Sequence, residues 1–375
     1  MKEFNTDSSN VPADAYVRLK VGVRVLEIPA TPSDSKTIFV GTDRGGVLFP
    51  GLGLRGFLAH LDGSHKLSDF LTSDFYSQEE IISALSELSQ ANLLVIAKEK
   101  LSTTAPVTSE SHRISELRIS PEANLATWYS ATQNDGRDLV KARTDFSILI
   151  FGSSRMAIAL YSILQASGFS HTKIISGERS KFTTSGNRAS STHIRVDEIC
   201  GLNITLADVG KTRGETITKI RHSAQLVPDK HANFPAIPDL VISTETAQPD
   251  YIQRWMSEGV AHLQISNLNE SFIEVGPLVI PGMSPCLRCV GMQKFGAHKI
   301  QAMVEFSNAM ESAPELSSAS AATISGLVAA ATIQWADTRR SPLMQKSIRY
   351  NLLDICNPEH IYWQPHIFCG CLEVI

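Results

Sequence analysis

Alternating apolar and polar residues characterise the first part of the chain. Residues 17–28 alternate in this way, and the shorter runs 37–40 and 46–49 repeat the pattern after turn signals at 31–34 and 43–46. An alternation with a period of two is typical of strands that bury one face. The pattern therefore predicts an antiparallel meander of three strands.

Helical spacing of apolar residues follows this meander. It predicts two short helices at 54–61 and 67–71 and a third helix over residues 79–92, preceded by a capping box formed by Ser77 and Glu80. Three strands followed by three helices predict a small winged-helix-like α+β domain, which we place at residues 1–98.

The third predicted helix bears on what this domain binds. It contains three Glu residues and no Lys or Arg, whereas contacts with nucleic-acid phosphates require cations. A peptide that adds as a strand beside residues 46–49 and lies against this helix is the better ligand, because main-chain hydrogen bonds supply affinity in that mode. The alternative is a domain that serves only for packing or oligomerisation. The candidate peptide-binding residues are Val47, Leu48, Phe49, Ile82, Leu85 and Leu88.

A second domain begins after a connecting segment at residues 99–143. Residues 99–125 are rich in Ser, Thr, Glu and Pro, which is typical of a linker or a poorly ordered surface stretch. The continuous apolar run that begins after residue 144, a helical segment at 156–166 and a strand at 172–175 then predict a βαβ unit.

The rest of the chain extends this unit. Strands are predicted at 240–243 and 263–266 around a helix at 250–258, and a hairpin is predicted at 272–281. The predicted architecture of residues 144–375 is α/β, with a Rossmann-like, mostly parallel sheet.

Composition and charge narrow the class of protein. With 375 residues, of which 43% are hydrophobic and 19% charged, the chain resembles a soluble globular protein of two or three domains. A formal net charge of -4 disfavours nucleic acid and anionic membranes as partners. The N-terminus lacks an apolar signal segment, and the Ala-, Ser- and Thr-rich stretch 319–336 suits a buried helix better than a membrane span. We therefore expect a cytoplasmic protein whose cysteines serve as thiols or metal ligands.

The turn after the first strand of the second domain is where many α/β proteins bind nucleotides. Such loops place glycines where the backbone approaches phosphate at a helix N-terminus. Here Gly152 is followed by Ser154 at the second glycine position, where a Cβ hinders close approach. Arg155 and the serines of this turn could still hold an anion, so ATP stays a candidate ligand. The favoured interpretation is a turn that only maintains the fold.

One carboxylate, Glu245, follows the predicted strand at 240–243. Parallel sheets bind ligands at this edge, and a carboxylate there can hold Mg²⁺ or act as a base. A solvated loop residue is the favoured alternative. The spacing of nucleophiles, bases and acids assembles no catalytic set, so no catalytic residue is predicted.

Four cysteines form two short pairs. Cys286 and Cys289 make a C-x-x-C motif after a Pro- and Gly-rich turn, and Cys369 and Cys371 flank a single glycine. Four thiolates in such pairs match the closed tetrahedral site of a structural Zn²⁺ ion, which has no open position for chemistry. A redox pair is the alternative for the C-x-x-C motif, but it would not explain the second pair.

Three other candidates are assigned no role in a site. Cys200 and Cys356 are predicted to be small buried apolar residues. His366 is predicted to be a surface or packing residue rather than a metal ligand.

The run from Glu274 to Cys289, Glu-Val-Gly-Pro-Leu-Val-Ile-Pro-Gly-Met-Ser-Pro-Cys-Leu-Arg-Cys, taken with the final Cys-Gly-Cys, resembles a ThiF-like family of peptide natural-product biosynthesis. Its members are the leader-peptide-binding partners of YcaO cyclodehydratases in azole and azoline peptide pathways. The resemblance covers residues 145–371 and extends to an N-terminal winged-helix peptide-recognition element.

This resemblance implies a function. Residues 17–97 would bind the leader of a ribosomally made precursor peptide, while the ThiF-like body docks a separate YcaO enzyme that uses ATP. Tethering the leader would raise the effective concentration of the core peptide at that enzyme. Related adenylating members hold ATP at the glycine loop that Ser154 interrupts here, which favours a non-catalytic scaffold. The alternative is an ATP-dependent enzyme that adenylates a carboxylate of the bound peptide. A homodimer is expected because superfamily members are often dimers.

Overall fold

The structure is a computed structural model of the whole chain. It describes residues 11–29, 36–73, 75–98, 100, 110–130, 133–152, 154–175, 193–228, 233–245, 247, 249–267, 271–297, 300, 303 and 315–372. The chain divides into two compact units, Met1–Val140 and Lys141–Ile375.

The first unit contains two three-stranded sheets and several helices. Its elements in chain order are β1 (Tyr16–Leu19), β2 (Arg24–Ile28), β3 (Thr37–Thr42), β4 (Gly45–Pro50), α1 (Arg55–Ala59), β5 (Asp62–Lys66), α2 (Leu67–Leu71), α3 (Gln78–Gln90), β6 (Leu94–Ala97), α4 (Glu110–Tyr129) and α5 (Arg137–Ala142), which continues into the second unit. β2, β3 and β4 form an antiparallel meander, and β1 lies between β5 and β6 in a separate sheet.

The alternating run at 17–28 is two strands, so its prediction as one strand is wrong. A turn closed by the hydrogen bond from the Val23 amide to the Lys20 carbonyl (3.1 Å) divides it. Gly22 has a φ of 96°, a conformation that side chains rarely adopt. The first half, β1, therefore leaves the meander and pairs in the other sheet, while β2–β4 form the three antiparallel strands.

Two strands of this unit, β5 and β6, are not predicted by the alternation of apolar and polar residues. β5 reads Asp-Gly-Ser-His-Lys and has no apolar alternation, and β6 directly continues the apolar pattern of the helix before it. Both pair with β1, β6 from Leu19↔Leu94 to Tyr16↔Ala97. These segments are strands because they pair with β1, which is distant from them in the chain.

The three short helices lie where the spacing predicts them. α3 begins after Ser77, but the Ser77 side chain makes no capping hydrogen bond, so the predicted capping box is not formed. One apolar core joins α3 to the meander, and it includes Ile38, Val40, Phe49, Ile81, Leu85 and Leu88. The winged-helix assignment of this unit stays a prediction.

α4 lies in the segment 99–143, which is predicted as a linker and helical connection. From Glu110 onward residues 99–125 are helical, so the expectation of a poorly ordered stretch is wrong there. The Arg18 guanidinium donates a hydrogen bond to the Asn124 side chain (3.1 Å), which ties α4 to β1. Apolar residues let the helix pack in spite of its polar composition. Those that are buried are Ile119, Ala123 and Ala126.

The second unit is built on a seven-stranded sheet. Its strands are β7 (Ile148–Phe151), β8 (Thr172–Ile175), β9 (Leu240–Ser243), β10 (Ala261–Asn267), β11 (Phe272–Val279), β12 (Lys346–Asn351) and β13 (Asp354–Tyr362), and its helices are α6 (Arg155–Ala166), α7 (Arg213–Ala224), α8 (Pro249–Ser257), α9 (Leu287–Ala297) and α10 (Ser318–Thr338). The strand order is β13-β12-β11-β10-β9-β7-β8. β8, β7, β9 and β10 are parallel. β11, β12 and β13 continue the sheet beyond β10, and each pairs antiparallel with the strand before it.

The parallel strands and their helices confirm the predicted α/β unit, whereas the hairpin predicted at 272–281 is wrong. That segment forms the single strand β11, which pairs with β10 on one side and with β12 on the other. β11 is almost entirely buried, and a strand between two partners needs no turn within it. β12 and β13 lack the apolar alternation of a half-buried strand and were not predicted.

α10 is the buried helix that the composition predicts. By length and composition alone it could cross a membrane, with a mean hydropathy of 1.2 in its most apolar window. Its Ala321, Ile324, Val328 and Ala329 are buried, and the Ser325 hydroxyl donates to the Met156 carbonyl of α6 (3.1 Å). Close packing against α6 accounts for its small apolar residues, and a core helix passes the same test of length and hydropathy.

A buried ion pair connects the start of the second unit with the end of α10. The Arg143 guanidinium lies 2.6 Å from a carboxylate oxygen of Asp337, and both side chains are almost inaccessible to solvent. Arg143 also donates to the Ser167 carbonyl after α6 (2.7 Å). This paired charge fixes three elements of the unit to one another.

Candidate metal centre and ligand sites

The two cysteine pairs meet in the folded chain. The sulfur atoms of Cys286, Cys289, Cys369 and Cys371 all lie within 4.8 Å of one another. Cys286 and Cys289 are 3.9 Å apart, Cys286 and Cys369 3.4 Å, and Cys289 and Cys371 3.5 Å. Four sulfurs about 2.3 Å from a tetrahedral zinc ion would be about 3.8 Å from one another. The cluster therefore has the size of a metal-tetrathiolate site.

Local turns place each pair. Cys286 directly precedes α9, after a turn in which the Ser284 hydroxyl accepts a hydrogen bond from the Ile280 amide (2.7 Å). Cys369 donates its amide to the His366 carbonyl (2.9 Å), and Gly370 has a φ of 68°. Glycine adopts this conformation at no steric cost, so it allows the second pair to turn both sulfurs to the same side.

Further hydrogen bonds support the cluster without the imidazole of His366. The His366 amide donates to the Cys289 sulfur (3.2 Å), and its ring nitrogen accepts from the Phe368 amide (3.3 Å). Gln293 of α9 donates to the Gln364 carbonyl (2.6 Å), which holds the C-terminal segment on the helix. His366 acts through its backbone, and its side chain is not a ligand.

The chemistry of the four sulfurs fits a metal cation. Burial, together with the neighbouring sulfurs, raises the pKa of Cys369 and of Cys371. Burial acts on the pKa of Cys289 in the same direction, but hydrogen bonds, the first from the His366 amide, outweigh it and lower that pKa. Four thiolates this close together would repel one another, and a divalent cation at their centre would remove that repulsion. These residues could hold a metal ion.

The remaining cysteines lie elsewhere. Cys200 is buried, as predicted, but Cys356 on β13 is exposed. The prediction of a buried Cys356 is wrong because β13 lies at the edge of the sheet, where few side chains are covered.

The turn after β7 lies where α/β sheets bind ligands. β7 is flanked by β8 and β9, so the connections leave it in both directions and open a crevice at the carboxyl ends of the strands. Gly152 stands in this crevice with a φ of 139°. A Cβ on Gly152 would lie 2.1 Å from the Thr244 hydroxyl, so the glycine is required by a protein contact rather than by a phosphate.

The N-terminus of α6 is already occupied. Ser154 is the N-cap, and its hydroxyl accepts from the Ala157 amide (3.3 Å). The amide of Arg155 donates to a carboxylate oxygen of Glu315 (3.1 Å). The Arg155 guanidinium donates to the Leu316 carbonyl (2.9 Å). No spacing rule pairs Glu315 with this turn, because 160 residues separate it from Arg155.

Glu245 lies beside the same turn. Its side-chain carbons come within 3.2 and 3.4 Å of the position that a Cβ on Gly152 would take. The backbone carbonyl of Glu245 accepts hydrogen bonds from the Ser243 hydroxyl and from the side-chain amide of Gln264. The structure thus brings Gly152, Ser154, Arg155 and Glu245 together at one turn. The carboxylate of Glu315 lies at the same turn. Residues 153, 176–192 and 246, which belong to the same predicted region, lie outside the described residues.

The predicted peptide-binding residues of the first unit differ in exposure. Phe49, Leu85 and Leu88 are buried in the core. Val47 is half-buried, Ile82 is 38% exposed and Leu48 is 57% exposed. Among the described residues β4 pairs only with β3, so its other edge is unpaired in this part of the chain. A peptide could reach that edge and the exposed side of α3.

Solved structures share this fold. E. coli MccB with AMPCPP and MccA has a TM-score of 0.63 and 14% identity over 95% of this chain and 99% of that one. The microcin C7 biosynthetic enzyme MccB in complex with N-formylated MccA has a TM-score of 0.61 and 15% identity over the same shares. A heterocyclase in complex with substrate and cofactor has a TM-score of 0.57 and 13% identity, and covers 95% of this chain but 39% of its own. No family model and no curated protein matches the sequence. The structural likeness confirms the ThiF-like fold.

Proposed function

We propose that this protein binds the leader of a ribosomally made precursor peptide and presents the core to a YcaO-type cyclodehydratase, in the biosynthesis of a modified, bacteriocin-like peptide. The likeness to MccB in complex with the peptide MccA, over 95% of the chain, carries the proposal. The cysteine motifs and the Gly-Pro-Leu-Val-Ile-Pro-Gly run support it independently through their family resemblance.

The likeness to a heterocyclase supports the choice of partner. In that protein the shared fold makes up 39% of the chain. A fold that occurs within a longer heterocyclase works beside further catalytic domains, whether these belong to the same chain or to a partner. A YcaO enzyme is the partner that the family resemblance implies.

The leader would bind against α3 and along the edge of β4 that is unpaired in the described part of the chain. Main-chain groups of β4 supply the hydrogen bonds in this mode, and side chains at Val47, Leu48 and Ile82 supply contacts. Phe49 of β4 and Leu85 and Leu88 of α3 belong to one apolar core, which holds β4 and α3 together. Three exposed Glu residues on α3 favour a leader with basic residues nearby.

Leader binding can be tested with labelled peptides encoded by short reading frames beside the gene. Ile82→Ser should weaken binding about tenfold or more without unfolding the protein, because it removes the apolar contact and adds no charge. The matched control is Leu26→Ser, which makes the same kind of change at an exposed apolar side chain on β2, at the other edge of the meander. Equal affinity of the Ile82→Ser variant and the unmodified protein would exclude this surface.

A second candidate is an ATP-dependent enzyme that adenylates a carboxylate of the bound peptide. It is favoured by the fold of E. coli MccB, which has been solved with ATP and with AMPCPP. The carboxylates of Glu315 and Glu245 at the α6 turn oppose it, since both would repel a nucleotide phosphate. We expect no ATP–pyrophosphate exchange with or without peptide, and robust exchange would favour the enzyme.

The cysteine cluster would hold a structural Zn²⁺ ion. Zinc supplies cross-linking rather than catalysis in a closed tetrathiolate site. Cys286, Cys289, Cys369 and Cys371 are its proposed ligands. A cytoplasmic location and a homodimer belong to the same proposal, and the mass of the protein in solution tests the dimer.

A further inference from the structure

The N-terminus of α6 contacts a carboxylate of the chain itself. One oxygen of Glu315 accepts from the Arg155 amide (3.1 Å), and the other lies 3.4 Å from the Arg195 guanidinium. Helix N-termini attract anions because their first amides have no partner within the helix. Glu315 takes the position of such an anion.

The segment that carries Glu315 is held in place beyond this single contact. The Arg155 guanidinium donates to the Leu316 carbonyl (2.9 Å), to the Ser318 hydroxyl (3.2 Å) and to the Asp197 carbonyl. Ser317 then caps α10, with its hydroxyl accepting from the Ser320 amide (3.1 Å). These contacts attach the first turn of α10, and the residues directly before it, to the N-terminus of α6.

Glu315 belongs to a group of paired charges. Arg195 also pairs with Asp197 (2.9 Å), and Arg213 pairs with the buried Glu198. Burial raises the pKa of Glu315, while the amide of Arg155 and the nearby arginines oppose that rise. Glu245 beside Gly152 adds a further carboxylate to the crevice. Three cations face three anions in this group, which consists of Arg155, Arg195, Arg213, Asp197, Glu198 and Glu315.

We propose that Glu315 is an internal ligand of the α6 anion site, which fills the position of a phosphate and so excludes polyphosphates and nucleotides from this chain. A phosphate at the Arg155 amide would have to displace the carboxylate and separate it from Arg195. Removing the carboxylate frees the amide and leaves one uncompensated positive charge. The inference goes beyond the proposed function and does not depend on it, because it concerns the second unit and not leader binding.

The test is the binding of inorganic pyrophosphate to the full-length protein, measured by isothermal titration calorimetry. Glu315→Ala should bind pyrophosphate at least about tenfold more tightly than the unmodified protein, since it gains charge-assisted hydrogen bonds. Glu315→Gln keeps the shape and removes the charge, so it should show a gain in the same direction. If Glu315→Ala fails to fold, Glu315→Gln alone decides.

A matched control separates this site from any helix terminus. Glu215 is also a carboxylate in the first turn of a helix, α7, where it accepts from the Thr212 amide (2.8 Å). Glu215→Ala should gain no pyrophosphate affinity, and adding Arg195→Met to Glu315→Ala should remove the gain. Equal pyrophosphate affinity in the unmodified protein and in both Glu315 variants would overturn the proposal. So would a gain in Glu215→Ala of the same size. Leader binding, measured separately, decides only the proposed function.

Discussion

The cysteine cluster and the α6 N-terminus both gather polar groups from distant parts of the second unit, but their charges differ. The cluster contains four groups of one kind, all within 4.8 Å. At α6, arginines and carboxylates lie together, and Arg195 and Arg213 pair with the carboxylates of Asp197, Glu198 and Glu315. Negative charges held close together repel one another unless a cation from solution binds between them. Arginines and carboxylates compensate one another's charge, so they need no such ion. We therefore expect the cluster to bind a cation and the α6 N-terminus to exclude anions.

The largest effect is expected from a substitution in the cysteine cluster. Cys369→Ser removes one sulfur ligand, so it should abolish stoichiometric metal binding and lower the free energy of unfolding by about 4 kcal/mol or more. Metal analysis and chemical denaturation measure the two effects. Cys356→Ser is the control, because that cysteine is exposed and outside the cluster. Retention of metal and of full stability in Cys369→Ser would contradict the cross-linking role.

The second prediction concerns a balanced pair, Arg143 and Asp337. Arg143→Met removes the guanidinium that pairs with the buried carboxylate of Asp337, which should cost about 3–5 kcal/mol of unfolding free energy. The exposed pair of Arg254 and Glu258 is the control, and Arg254→Ala should cost less than about 1 kcal/mol. The double variant Arg143→Met, Asp337→Leu should recover much of the loss. A loss below about 1 kcal/mol in Arg143→Met would mean that burial does not make this pair important.

The smallest effect comes from Lys20 of the first unit, a buried cation with neutral partners. Its ammonium donates to the Asn92 side chain (2.6 Å) and to the Thr127 carbonyl (2.5 Å). Burial lowers the pKa of Lys20 from 10.5 to about 8. Between these two values the unfolded chain binds more protons than the folded one, so stability should rise with pH by about 1–2 kcal/mol after solvent screening.

Chemical denaturation between pH 7 and pH 10 measures this rise. Lys20→Met removes the titrating group and should flatten the profile over that window, whereas a variant at an exposed lysine such as Lys36 should leave it unchanged. A profile that falls with pH in the unmodified protein would show that the Lys20 ammonium is stabilised rather than strained by its surroundings.

Local pattern was sufficient for much of the fold and for part of the candidate sites. The βαβ unit of β7, α6 and β8 follows from a continuous apolar run and one helical face, and both signals depend on neighbours in sequence. The metal cluster was predicted because its ligands come in two short motifs of one residue type. Neither conclusion required knowledge of which strands pair.

Contacts between distant residues account for the misses. β5 and β6 are strands because β1 pairs with them, and β11 is one strand because β10 and β12 cover both of its edges. α4 looked like a linker because its polar composition hides the three apolar residues that pack. Leu85 and Leu88 looked like peptide contacts, but burial assigns them to the core.

The sequence by itself determined the βαβ start of the second unit, the paired cysteine motifs and the interruption of the glycine loop by Ser154. Each of these depends on residues a few positions apart. Only the tertiary structure placed the Glu315 carboxylate at the α6 N-terminus, because Glu315 lies 160 residues from the amide that it binds. Chain separation carries no signal for such a contact, and it forms because a buried carboxylate and an unpartnered helix amide each need the other.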